Sequence, residues 1–219
     1  GFAARRRQSE ADGRLRGLGF AYHIKGTGGP PEENVEIRFE SDGTVSLITG
    51  TYDYGMGHHS PFAQVLVTQL GIPFEAIRLI QTDSDLVRMG GGSGGSRSIT
   101  TSGQAIVEAS ALVIEKGRKA AALEASEGDV EFARGRFTIA GTDRGIGIME
   151  LAAKLRSAGQ LPDGVPLSLD VDHTSTDVPS AFPNGAHVAE VEIDPDTGVT
   201  TIVRYTGVND FGTIVNPMI

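Results

Sequence analysis

The residues best suited to chemistry lie in two glycine-rich stretches. The first is Tyr54-Gly55-Met56-Gly57-His58-His59-Ser60-Pro61, which runs straight into FAQVLVTQLGIP. Glycines at alternate positions let a ligand approach the main chain closely. A helix start just beyond offers unpaired N–H donors and roughly half a positive charge. That combination suits a phosphate or another oxyanion. The second stretch, Met89 to Gln104, reads MGGGSGGSRSITTSGQ. Backbone N–H groups of such a turn form an anion-binding concavity, and Ser96 and Ser98 add hydroxyl donors. Many glycine loops before helices bind nothing, so the two stretches count together or not at all.

Each loop needs an element to hold it. Ser60 as N-cap and Pro61 at the first helical position predict a helix, with Phe62, Val65, Leu66 and Leu70 at helical spacing. Gly71 closes that helix and Pro73 stops it continuing. A second helix is predicted from Thr101 or Ser102, its buried face being Ala105, Ile106, Ala109, Leu112, Val113, Ala120 and Leu123. Before the first loop, Val35, Ile37 and Phe39 alternate with charged residues, Ser41-Asp42-Gly43 turns, and Val45, Leu47 and Thr49 return. Ile77, Leu79 and Gln81 suggest a third strand.

Further on, residues 129–139 read as a hairpin turning at Arg134-Gly135, and Ile146 to Leu155 as a short helix. Leu167, Leu169 and Val171 begin another strand. Ala189, Val191 and Ile193 alternate with Glu190 and Glu192 before the turn Pro195-Asp196-Thr197-Gly198 and a return through Val199 to Tyr205. Residues 14–25 are strand-like, and residues 1–13 show no clear period. Hairpins and strands interleaved with helices predict an α+β domain in place of a doubly wound parallel sheet.

Composition narrows the classes. The 219 residues allow one large domain or two small ones, and 30 glycines are about twice the usual share. A net charge of −9 argues against a general nucleic-acid binder. The one basic cluster, Arg5, Arg6, Arg7, Arg14 and Arg16, reads as a solvated arm or a contact with another subunit. With no cysteine, the chain has no thiolate metal or iron–sulfur ligands. No apolar run approaches the ~18–20 residues of a membrane span, and the default location is the cytoplasm.

Several residues invite a sharper reading. Adjacent His58 and His59 point in different directions at a helix start with no third ligand suitably spaced, so a packing or hydrogen-bonding role is expected and no metal site is assigned. His23, His173 and His187 are isolated and read as structural. Asp83 and Asp85 form a carboxylate pair at a strand exit, a common place for aspartate. Arg97 either reaches a phosphate or pairs with a surface acid. Glu190 and Glu192 occupy the outward phase of a strand and read as solvated.

Taken together, G-T-Y-D-Y-G-M-G-H at 50–58, A-Q-V-L-V-T-Q-L-G-I-P at 63–73 and I-R-L-I-Q-T-D-S-D at 77–85 begin a pattern. It continues through G-G-S-R-S at 94–98, G-Q-A at 103–105, G-A-H-V-A-E-V-E-I-D-P-D-T-G at 185–198 and N-D-F-G-T-I-V-N-P at 209–217. In order and spacing these blocks resemble the molybdopterin-binding large subunit of the xanthine dehydrogenase, aldehyde oxidase and carbon monoxide dehydrogenase family.

The resemblance implies a molybdopterin cofactor, in mononucleotide or dinucleotide form. It would lie against Gly55, Met56, Gly57 and His58 on one side and Gly94, Gly95, Ser96, Arg97 and Ser98 on the other, with Gln104 just inside the following helix. It also implies a hydroxylase acting on an aldehyde, an N-heterocycle or carbon monoxide, with water as oxygen source and with iron–sulfur and FAD subunits or domains as electron partners. The family usually carries glutamine where this chain has Met56, whose thioether cannot donate an amide hydrogen bond. The family's glutamate base has no counterpart in 1–219, so no catalytic residue is assigned, and the chain is expected to be an internal segment of a larger subunit. Two alternatives stay open: a scaffold of the same fold that has lost the cofactor, and an unrelated phosphate- or nucleotide-binding domain. The cofactor reading requires loops 54–58 and 90–98 to meet on one side of the fold.

Overall fold

The computed structural model describes residues 1–122 and 127–218. In chain order its elements are α1 (Phe2–Ala11), β1 (Leu15–Ile24), β2 (Glu33–Phe39), β3 (Val45–Thr49), α2 (His59–Leu70), β4 (Ile77–Ile80) and α3 (Gly103–Ala121). There follow β5 (Val130–Ala133), β6 (Arg136–Ile139), β7 (Gly145–Gly147), α4 (Ile148–Ser157), β8 (Val171–Ser175), β9 (Asn184–Ile193) and β10 (Thr200–Asp210). This is an α+β fold. The chain divides into two compact units, Thr27–Ser180 with Val215–Ile219, and Gly1–Gly26 with Ala181–Ile214.

In the larger unit a four-stranded sheet runs in the order β4-β3-β2-β8. The β2–β3 hairpin pairs Ile37 with Leu47 and Phe39 with Val45, so the predicted alternation puts one apolar row inside. Helices α2 and α3 cover it. Phe62, Leu66 and Leu70 of α2 and Ala105, Ile106, Ala109 and Val113 of α3 join Val35, Ile37, Phe39, Val45 and Leu47 in one buried cluster. Each fully buried large side chain contributes about 1.5–3 kcal/mol, so the cluster anchors both helices. Gly71 closes α2 in the left-handed conformation, φ 63°, and its N–H donates to Val67 O, as its sequence position predicts.

Some boundaries differ from expectation. Helix α3 begins beyond a π-helical turn, Ser98–Ser102, so Ser102 stands in αR conformation and makes no side-chain cap. Leu112 lies one position off the buried stripe and is 38% exposed, and Leu123 is outside the described residues. Ile146 belongs to β7 and α4 starts at Ile148. Gln81 falls past the end of β4, Leu167 is exposed, and β8 starts only at Val171. The hairpin turn at Arg134-Gly135 is as predicted, with φ 49° and 76°.

In the smaller unit, β9 is the middle strand between β1 and β10, both antiparallel to it. Residues 2–11 form a helix despite their lack of apolar period, and the reason is electrostatic. Arg5 and Arg16 both donate to the Glu190 carboxylate, with Arg5 Nε 2.8 Å from Oε1 and Nη2 2.6 Å from Oε2. Arg16 Nη2 and Ser9 Oγ donate to Glu192 at 2.8 and 2.7 Å. Glu190 is therefore 2% exposed, not solvated, and hydrogen bonds from Arg5 and Arg16 hold its carboxyl down at about 2. At least these two arginines are intrachain ion-pair partners and not parts of a solvated arm. On one face of β1, Leu18, Phe20, Tyr22 and Ile24 remain more than half exposed.

Candidate functional site

The two glycine-rich loops meet because their supporting strands are neighbours. Strand β3 feeds the first loop, β4 feeds the second, and β3 and β4 pair in parallel, Val45 opposite Ile77 through Ile48 opposite Ile80. Both loops therefore leave the sheet at its carboxyl edge, where parallel strands place ligands. At the stems the main chains touch. A Cβ on Gly50 would sit 2.1 Å from Met89 O, and one on Gly90 would sit 2.4 Å from Gly50 O. Only glycines allow this approach. Further out, Tyr54 Oη donates to Ser93 O at 3.0 Å and Ser93 Oγ donates to Tyr52 O. The Tyr52 and Tyr54 rings lie 5.2 Å apart, and both are substantially exposed.

The first loop is shaped by an acid inside it. Asp53 Oδ1 accepts from the N–H of Gly55 and of Met56, each at 2.7 Å, and Oδ2 accepts from His58 N–H at 2.6 Å. These bonds, that from Gly55 first, draw the Asp53 carboxyl below its ordinary range. Helix α2 then starts at His59, so Ser60 lies inside its first turn and not at the cap. His58 is the N-cap residue and brings no side-chain cap; the Asp53 carboxylate accepts its main-chain N–H and so fixes the approach to the helix. The imidazole of His58 stacks on Phe62 at 5.0 Å, and its Nδ1 is buried with no partner among the described residues. Burial lowers its pKa, opposed by the Asp53 charge. Met56 is 44% exposed, while Gly55 and Gly57 border open space.

The second loop is braced from behind. Arg97, 2% exposed, donates from Nη1 to Glu33 Oε2 at 3.2 Å and to Gly92 O at 3.0 Å, and from Nη2 to Glu32 O at 2.8 Å. Its partner is a buried acid, not a surface one. Glu33 is fully buried and also accepts from Thr51 Oγ1 at 2.6 Å and Gly50 N–H at 3.2 Å, while Ser102 Oγ donates to Thr51 Oγ1 at 2.8 Å. Burial raises the Glu33 carboxyl above its usual range, with Thr51 and Arg97 pulling the other way. This network joins the roots of both loops to β2 and α3.

On the opposite, solvent-facing side, Gly94 borders open space, Ser96 is exposed at φ 61° and Ser98 is half-buried. Among the described residues no protein acceptor meets the N–H groups of Gly94, Gly95, Ser96 or Ser98, or the hydroxyls of Ser96 and Ser98. Gln104 directs its amide to Glu108 Oε1 at 2.8 Å, one helical turn on.

The remaining polar residues do structural work. His59 Nε2 contacts Ile77 O at 3.2 Å and its ring stands edge-on to Phe74. His173 pairs with Glu108 at 2.7 Å. His23 and His187 are not isolated, since their rings lie 5.3 Å apart and His187 also contacts Tyr205 and Asn209. Asp83 shapes a turn by accepting Asp85 N–H at 3.0 Å. Glu33, Thr51 and Asp53 were given no role from the sequence. Asp53 carried a readable sign, because aspartate two residues before a glycine commonly closes a local turn. Glu33 carried none, since its role depends on partners far along the chain.

A family model of the molybdopterin cofactor-binding domain matches residues 1–219. The chain is 34% identical over 189 residues to the carbon monoxide dehydrogenase large chain of Hydrogenophaga pseudoflava, covering 85% of this chain and 23% of that one. It is 31% identical over 210 residues to the 6-hydroxypseudooxynicotine dehydrogenase complex subunit gamma of Paenarthrobacter nicotinovorans, covering 95% and 26%. Among solved structures, a Cu,Mo-CO dehydrogenase superposes with a TM-score of 0.87 at 28% identity, covering 99% of this chain and 30% of that one. Quinoline 2-oxidoreductase from Pseudomonas putida 86 gives 0.87 at 26% identity, with the same coverage. The chain belongs to the molybdopterin cofactor-binding domain family. It spans about a quarter of the length of these curated relatives.

Proposed function

We propose that this chain is the part of a molybdenum hydroxylase large subunit that seats the molybdopterin cofactor between its two glycine-rich loops. The observation that carries the reading is the meeting of these loops at one sheet edge, with unpaired donors at Gly94, Gly95, Ser96 and Ser98. The residues fit the group. A phosphate needs several convergent N–H or O–H donors, and each charge-assisted bond is worth roughly 1.5–3 kcal/mol. Gly94 leaves room for it, and exposed Tyr52 and Tyr54 contact the neighbouring Gly92 and Ser93. The remaining positions of the seat are Gly55, Gly57, His58, Arg97 and Gln104, of which Arg97 acts through the loop it braces.

When bound, the cofactor supplies the redox chemistry, and this chain supplies placement and electrostatics. Oxidation of an aldehyde, an N-heterocycle or carbon monoxide, with water as oxygen source, is the activity assigned to the whole enzyme. The glutamate base and the iron–sulfur and FAD partners belong outside residues 1–219, and no catalytic residue is assigned within them. Exposed Phe20, Tyr22 and Ile24 support contact with the remainder of the large subunit. Among the described residues no helix is long and apolar enough to cross a membrane, and cytoplasmic placement is part of the proposal.

The test is molybdenum and pterin content of the complete gene product from a host that makes the cofactor, beside residues 1–219 alone. Cofactor in the complete protein is expected, with no hydroxylase turnover from 1–219. Complete protein free of pterin would sink the reading and leave the scaffold alternative, which Met56 and the self-filled first loop favour.

A further inference from the structure

A glycine turn with convergent N–H groups is normally read as an empty seat for an external anion. The first loop here is not empty. Its donors at Gly55, Met56 and His58 converge on both oxygens of one carboxylate, at 2.6–2.7 Å, and that carboxylate belongs to Asp53 at the loop's own base. A phosphate brought to the same donors would have to displace Asp53 and then lie beside its charge. Like charges that close repel, and Arg97, the basic side chain of the second loop, is turned inward onto Glu33, Gly92 and Glu32.

We propose that Asp53 is a positioning residue that fills the anion seat of loop 54–58 from within and so directs the phosphate of the cofactor to Gly94–Ser98. The first loop then meets a ligand with its outward side chains, Tyr54 and Met56, and not with its main-chain donors. Asp53 touches no reacting atom. It acts by fixing the curve of the loop, and with it the positions of Met56 and of His58, whose main-chain N–H groups the same carboxylate accepts. The part of this inference that concerns the cofactor rests on the function proposed above, while the filling of the seat does not.

The experiment replaces Asp53 in the complete gene product with alanine and, separately, with the near-isosteric asparagine. Two quantities are read: pterin per protein, and the Tm with and without formate at constant ionic strength. Formate is a carboxylate without a chain, the group that Asp53→Ala removes. For Asp53→Ala the expectation is a roughly tenfold loss of pterin retention and a Tm fall of about 4–8 °C, both partly restored by formate. Wild type gains less from formate than the variant does, because its seat is filled. Asp53→Asn keeps the oxygen that Gly55 and Met56 donate to but sets an NH2 group against His58 N–H and loses the charge, so it loses pterin while gaining less from formate than Asp53→Ala does.

Equal formate stabilisation of wild type and Asp53→Ala would overturn the proposal, as would full pterin and unchanged Tm in both variants. Should Asp53→Ala fail to fold, pterin retention and Tm of Asp53→Asn decide alone: wild-type values overturn the proposal. Wild type without pterin defeats the functional reading, and the formate comparison then still decides whether Asp53 fills the seat.

Discussion

The two glycine loops look alike as sequence and are built on opposite principles. Loop 54–58 turns its main-chain donors inward onto an internal anion, Asp53. Loop 89–98 turns an internal cation, Arg97, inward and, among the described residues, leaves the N–H groups of Gly94, Gly95, Ser96 and Ser98 without a protein acceptor. Glycine content alone therefore does not say where a ligand's charge goes. What decides it is the charged side chain each loop keeps for itself. An internal acid closes one seat, and an internal base pulled behind the other holds that seat open.

The contrast can be broken most severely from behind the second loop. Arg97→Leu strands the Glu33 carboxylate in a dry site, and removing one member of a buried pair costs about 3–5 kcal/mol. Urea unfolding should show that loss, and the double change Glu33→Leu with Arg97→Leu should recover much of it. A double variant no more stable than the single one would mean the pair is not coupled. At the junction of the stems, Gly50→Ala sets a methyl group against Met89 O and Gly90 Cα, and overpacking against main chain costs roughly 1–3 kcal/mol or more. Here the loss should be accompanied by reduced pterin content, because the change parts both loops at once. Retained stability and retained pterin would show that the stems need not touch.

Acid titration sharpens the contrast by sign. Asp53 has a lowered folded pKa, so its contribution is complete above the ordinary aspartate value of about 3.9 and is lost as pH falls from there. Glu33 has a raised folded pKa, so the folded state binds more protons than the unfolded one above 4.5, and stability falls as pH rises through that window. Asp53→Asn should flatten the low-pH limb of the stability curve, and Glu33→Gln the limb just above pH 4.5. Identical changes in both variants would refute the assignment of opposite environments. The smallest effect is expected at the exposed Met56. Met56→Gln should alter unfolding stability by less than about 0.5 kcal/mol while raising pterin occupancy. No rise would remove the side chain at 56 from the list of cofactor contacts.

Much of this was legible in local pattern. The β2–β3 alternation, the Gly71 stop and the Arg134-Gly135 turn all follow from single-residue chemistry, and each stands where it was predicted. The start of α2 did not, because the helix begins earlier, at His59, with His58 as N-cap held by its main-chain N–H to Asp53, and Ser60 falls inside the first turn. Glu190 was misread for a related reason. Strand alternation predicts which face a side chain takes, but not that two arginines from α1 and β1 will close over it. The two loops could be named from glycine and serine spacing. Their meeting could not, since it rests on the parallel pairing of β3 with β4 and on Gly50 touching Gly90, contacts between segments far apart along the chain.

The internal carboxylate of the first loop also decides when that loop becomes ordered. A seat that waits for its ligand is shaped at the moment of binding, and the ordering entropy then weakens affinity. A loop closed on its own aspartate takes its shape during folding, so apo and loaded protein should present the same surface there. Hydrogen exchange at Gly55, Met56 and His58 would then be indifferent to loading, whereas amides at Gly94 to Ser98 would slow when a cofactor arrives. The first loop would serve as a fixed wall, and the second would be the part that registers occupancy.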